Sequence, residues 1–136
     1  MQLNPYVHFD GRCEEAFKFY QQTFGGKIEM LLKYEGMPSA EHIPADWRGK
    51  IGHAHLTVGD QVFMGCDAPP SSYQKPQGFS ASIHVKDPNE AERIFRELSR
   101  DGSIRMPIQE TFWAVRFGML TDRYGIPWMV NCGKEA

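Results

Sequence analysis

The sequence predicts an α+β fold made of two divergent copies of one strand, helix, three-strand unit. Three observations predict it. A short strand followed by an amphipathic helix opens the chain, the same pair returns in the second half, and each half closes on a hairpin turn. Tyr6-Val7-His8-Phe9 reads as the first strand because β-branched and aromatic residues gather there, and Asp10-Gly11 breaks it. Ala16, Phe17, Phe19, Tyr20 and Phe24 then form one broad helical face, with Glu14 and Glu15 in the first turn and Gly25-Gly26 as the stop.

The second copy begins in Phe79-Ser80-Ala81-Ser82-Ile83-His84-Val85, after a polar, proline-containing connector over 68–78. Asp87 caps the predicted helix and Pro88 takes its first position, while Ala91, Ile94, Phe95 and Leu98 form the apolar stripe. Val7-His8-Phe9 thus matches Ile83-His84-Val85, and Glu15-Ala16 matches Glu90-Ala91. Strands are expected over 28–34, 51–58 and 61–65, and again over 104–109, 113–120 and 126–131. Gly59-Asp60 and Asp122-Arg123-Tyr124-Gly125 are the turns of the two closing hairpins. The stretch 36–49 has no clear period and is expected to be a mobile flap. A single domain over 1–136 follows, with a first unit 1–67, a connector 68–78 and a second unit 79–136. Each unit exposes a sheet face that one helix only partly covers, so a cleft between the paired units is the expected ligand site.

Composition narrows the function. The 136 residues carry 15 basic and 17 acidic side chains, a net charge of −2, which gives no field for nucleic acid. Cys13, Cys66 and Cys132 are too scattered for a disulfide framework or a thiolate zinc knuckle, so a reducing compartment is expected. No apolar run is long enough to span a bilayer, and the start of the chain lacks the pattern of a secretion signal. A cytoplasmic protein without membrane or nucleic-acid partners is the expectation.

The ordered motifs resemble the PhnB-like branch of the vicinal oxygen chelate superfamily, which includes glyoxalase I, extradiol dioxygenases and bleomycin-resistance proteins. The residues that carry the resemblance are Phe9-Asp10-Gly11, Glu14 to Tyr20, Phe24-Gly25-Gly26, His53-Ala54-His55-Leu56, Met106-Pro107, Glu110 to Trp113, Phe117-Gly118 and Asp122 to Val130. The resemblance implies paired βαβββ units, usually assembled as a homodimer. It also carries the label of 3-demethylubiquinone methyltransferase-like proteins, although no methyl-donor motif is present.

The superfamily often holds a divalent metal through one residue from the first strand and one from the last strand of each unit. By resemblance these positions are Pro5, Met64, Ala81 and Met129. Thioethers are weak donors, and proline and alanine side chains offer none, so no metal or other cofactor is expected. His53 and His55, two apart on one strand, share a face and are the strongest challenge to that expectation.

The candidate cleft comprises Pro5, Val7, Phe9, His53, His55, Met64, Ala81, Ile83, Glu110, Trp113, Arg116 and Met129. With Val7, Phe9 and Ile83 toward the cleft, alternation sends His8 and His84 toward the helices. Trp113 is read as an apolar wall or a core residue, Arg116 as an anion anchor or a solvated charge, and Glu110 as a proton acceptor if buried. No catalytic residue is assigned. The leading functional reading is a metal-independent protein that binds a small aromatic or anionic compound. The alternatives are a metal-dependent lyase, isomerase or dioxygenase with displaced ligands, a metal-free enzyme using Glu110 or a histidine, and a structural or protein-interaction role.

Overall fold

In the computed structural model, which describes residues 1–38 and 42–134, the chain divides into two compact units, 1–74 and 75–136. The first contains β1 (Tyr6–Phe9), α1 (Cys13–Phe24), β2 (Lys27–Lys33), β3 (Ile51–Val58) and β4 (Gln61–Asp67). The second contains β5 (Ala81–His84), α2 (Pro88–Ser99), β6 (Ser103–Gln109), β7 (Ala114–Thr121) and β8 (Pro127–Gly133). Each unit is therefore βαβββ. Their sheets have the same order, β1-β4-β3-β2 and β5-β8-β7-β6, with the first strand parallel to the last and the other neighbours antiparallel.

The first core forms because an aromatic helix face meets an aromatic sheet face. Phe17 and Tyr20 of α1 pack on Phe9 of β1 and Phe63 of β4, with ring centroids 5.6–6.4 Å apart. The left-handed conformation of Gly25 ends α1, its N–H donating to the carbonyl of Gln21. The opposite end has no capping side chain of its own at Arg12. Buried Asp67, at the end of β4, takes that role from a distance: Oδ1 accepts from the N–H groups of Gly11 (3.0 Å) and Cys13 (2.9 Å), and Oδ2 from Ile51 (2.9 Å).

In the second unit Ile94, Phe95 and Leu98 of α2 join Leu120 and Val130 in the core. Asp87 caps α2 through the N–H of Asn89, ahead of Pro88, as the sequence predicts. Asp122 organises the β7–β8 turn. Its Oδ1 accepts from the N–H groups of Tyr124 and Ile126, and its Oδ2 from the indole N–H of Trp128 at 2.8 Å.

The stretch 36–49 holds a 3-10 turn at Ala45–Trp47, and another, Tyr34–Gly36, precedes it. The centre of the expected flap, 39–41, lies outside the described residues.

Candidate functional site

In each unit the sheet has one face against its helix and one face free of it. Which residues occupy the free face corrects the expected parity. Val7 and Phe9 are 3% and 0% exposed and belong to the core, so Tyr6 and His8 take the free face. In the second unit Ile83 pairs with buried Val130 on the helix side, and Ser82 and His84 are exposed on the other. Alternation alone separates two faces without telling which meets the helix; the demand of Phe17 and Tyr20 for the Phe9 ring decides it here.

On the first free face the register aligns Tyr6, Met64, His55 and Met30 in one row across all four strands. Beside it His8 pairs with Cys66, and His53 pairs with Leu32. The rings form a chain from His8 to Tyr6 (5.6 Å between centroids), to His53 (5.7 Å), to His55 (6.3 Å). The Tyr6 hydroxyl lies 3.2 Å from His53 Nδ1. Partial burial pushes the Tyr6 phenol above its ordinary range, so it stays protonated and can donate to that nitrogen. Burial also raises the Cys66 thiol, against the neighbouring Tyr6 and Tyr34 phenols, whose polarity pulls it down. Tyr34 itself is pushed up to about 12 by burial and then by Cys66, and its hydroxyl donates to the Asp67 carbonyl.

The second free face repeats this grid with different chemistry. One row is Ser82, Met129, Met119 and Met106; the next is His84, Asn131, Phe117 and Gln109. His84 joins the rows at the polar end, with Nε2 2.9 Å from Ser82 Oγ and Nδ1 3.2 Å from the Asn131 amide nitrogen. Trp113 stacks edge-on against Phe117 at 5.3 Å, and Phe112 against Trp113 at 4.7 Å.

Arg116 faces α2, where its Nε donates to Glu92 Oε1 at 3.0 Å, so its charge is already engaged. Glu110 is exposed just beyond β6 and lacks the burial its expected role needs. Ala81 pairs with buried Trp128 on the helix side, and Pro5 precedes β1. A separate depression of about 480 Å³ lies at the start of α1, beside Arg12, Glu14, Lys18, Lys50 and Asp67. Glu14 already pairs with Lys18 there, and Asp67 already accepts from three N–H groups. Sequence reasoning missed Tyr6, Ser82, Asn131, Phe117 and Met119. A Ser-x-His spacing on one strand was visible, but its contact with Asn131 appears only in the β5–β8 register.

The same register gives the neighbours of the two methionines that the resemblance singles out. Met64 is opposite Tyr6 rather than Pro5, and Met129 is opposite Ser82 rather than Ala81. A phenol, an alcohol and two thioethers do not suit a divalent ion. Among the described residues no group of three or more His, Cys, Asp or Glu side chains is placed to hold one.

A family model described as 3-demethylubiquinone-9 3-methyltransferase matches residues 1–131. The chain belongs to that family. As a member of the 3-demethylubiquinone-9 3-methyltransferase family it falls in the PhnB-like branch of the vicinal oxygen chelate superfamily. It is similar to Protein YjdN of Escherichia coli (strain K12), 36% identical over 99% of this chain and 97% of the relative. Among solved structures, protein PA1353 of Pseudomonas aeruginosa is 45% identical with a TM-score of 0.91, covering 99% of each chain. The PhnB protein of Bacillus cereus is 27% identical with a TM-score of 0.82, covering 98% of this chain and all of that one. A glyoxylase/bleomycin resistance protein/dioxygenase domain from Frankia sp. EAN1pec, 10% identical with a TM-score of 0.65 over 98% of each chain, shares the fold.

Proposed function

We propose that this protein binds a small, planar, partly apolar compound, and that the helix-free sheet face of its second unit is a principal contact surface. The observation that carries the reading is the juxtaposition on that face of an adaptable apolar floor and a polar end. Met106, Met119, Met129 and Phe117 supply the floor, Trp113 an aromatic edge, and Ser82, His84 and Asn131 the polar groups. Thioethers adjust to irregular ligand shapes, and a few convergent polar groups fix orientation. A carboxylate on an aromatic ring suits the donors at the polar end. Screening aromatic carboxylic acids by thermal shift and then calorimetry should find one that binds one per chain, with Phe117→Ala weakening it at least about tenfold. If no compound binds stoichiometrically, or if Phe117→Ala leaves binding unchanged, this assignment is wrong.

The working form is a cytoplasmic homodimer. Tyr6, Met30 and Leu32 are 41%, 46% and 36% exposed on the first free face, and association would shield such apolar surface. Three free, buried cysteines suit a reducing compartment, and no helix among the described residues is long and apolar enough to cross a membrane. Sedimentation is expected to give twice the 15.6 kDa chain mass at micromolar concentration; a persistent single-chain species would exclude the dimer.

A further inference from the structure

We propose that Ser82, His84 and Asn131 form a nucleophile, its base and a positioning residue for acyl transfer from small carboxylic esters. The proposal rests on the reading that this sheet face receives small molecules.

Ser82 and His84 are two apart on β5 and so project from the same side, while Asn131 is the direct β8 partner of His84. The imidazole thus touches a hydroxyl through Nε2 (2.9 Å) and an amide through Nδ1 (3.2 Å), the connectivity that activates a serine. With the amide nitrogen donating to Nδ1, the ring proton sits on Nε2 and points at Ser82. The Asn131 Oδ1 atom is then buried with no hydrogen-bond partner among the described residues. A half-turn of the amide exchanges its nitrogen and oxygen in place. Oδ1 then accepts from Nδ1–H, and Nε2 is left to accept the Ser82 proton. Each orientation leaves one amide atom without a partner, so neither gains a decisive advantage and the reactive tautomer is accessible.

In the step itself, Ser82 Oγ attacks the acyl carbon as its proton passes to His84 Nε2. The tetrahedral adduct expels the alcohol, which takes that proton, and leaves an acyl-serine. Water, deprotonated by His84, then cleaves the acyl-serine to the carboxylic acid and regenerates the hydroxyl. The sum is ester plus water to acid plus alcohol. A donor for the tetrahedral oxygen is at hand. Val85 N–H bonds to the Asn131 carbonyl, so the ladder to β8 runs through alternate residues and the N–H of Ser82 is directed away from β8.

The test treats the intact chain with p-nitrophenyl acetate and, separately, with an alkyl fluorophosphonate, locating the adduct by mass spectrometry. One adduct on Ser82 is expected. S82A should abolish it and lower nitrophenol release at least about tenfold, and H84Q should slow labelling by on the order of 100-fold. N131D, whose carboxylate can only accept, should retain or raise the labelling rate, whereas N131L lowers it; a merely structural Asn131 would not separate these two variants. S82C, with a thiol in place, should still form an acyl adduct. No adduct at position 82 in a chain that melts like the wild type, or equal nitrophenol release from S82A, overturns the proposal. Calorimetry of the wild-type chain with benzoate keeps the readings apart: binding without an adduct on Ser82 overturns only the ester cleavage, and an adduct without binding overturns only the aromatic-acid reading.

Discussion

Asp67→Ala should lower the stability of this protein by about 4 kcal/mol, the cost of leaving several buried N–H groups without an acceptor. The side chain is 1% exposed and gathers three donors from separate stretches, Gly11 and Cys13 at the head of α1 and Ile51 at the start of β3. Alanine removes every acceptor and frees the first turn of α1, whose exposed N–H dipoles lose a negative partner as well. Asp67→Asn keeps the volume but turns an amide N–H₂ toward at least one of the same donors, so roughly half of the loss is expected. Urea unfolding of the two variants measures both values. A change below about 1 kcal/mol for alanine would mean that water replaces the carboxylate at all three donors.

The second large effect is expected at a pair of glycines that the repeat places alike. Gly26 and Gly102 each follow the helix of their unit and precede its second strand. A Cβ at Gly26 would stand 2.2 Å from the carbonyl oxygen of Thr57, and one at Gly102 2.4 Å from that of Thr121. Both obstacles are backbone, held in the sheet by the pairs Lys27–Thr57 and Ser103–Thr121, so neither can swing aside as a side chain would. Gly26→Ala and Gly102→Ala should each cost about 3 kcal/mol by forcing the helix-to-strand turn off the neighbouring strand. Gly25→Ala is the informative neighbour. Its added Cβ meets nothing within 4 Å but sits at φ +78°, so a loss nearer 1 kcal/mol is expected from conformation alone. Equal losses at Gly25 and Gly26 would refute the contact explanation.

The order of elements was legible because it rests on local signals. The Ala16-Phe17-Tyr20 face, the Asp87-Pro88 start and the Gly59-Asp60 and Asp122-to-Gly125 turns each act within a few residues. What escaped depends on partners distant in the chain. Strand parity for Val7 and Phe9 is decided by rings on α1, the engagement of Arg116 by Glu92 on α2, and the apposition of His84 to Asn131 by a parallel pairing across 47 positions. The register partners of Met64 and Met129, Tyr6 and Ser82, each lie one residue beyond Pro5 and Ala81, and one residue is enough to exchange the faces of a strand.

The parallel pairing of β1 with β4 has a consequence for synthesis. β1 leaves the ribosome before the rest of its unit, yet its sheet partner spans residues 61–67, and the acceptor for the N–H groups at the head of α1 sits at the last of these. A nascent chain stalled before Asp67 contains the whole first helix and the earlier strands, but neither the end of the β1–β4 ladder nor the carboxylate that completes the helix start. The first unit should therefore become protected against hydrogen exchange and proteolysis late and abruptly, once position 67 has cleared the exit tunnel, rather than strand by strand as the chain emerges.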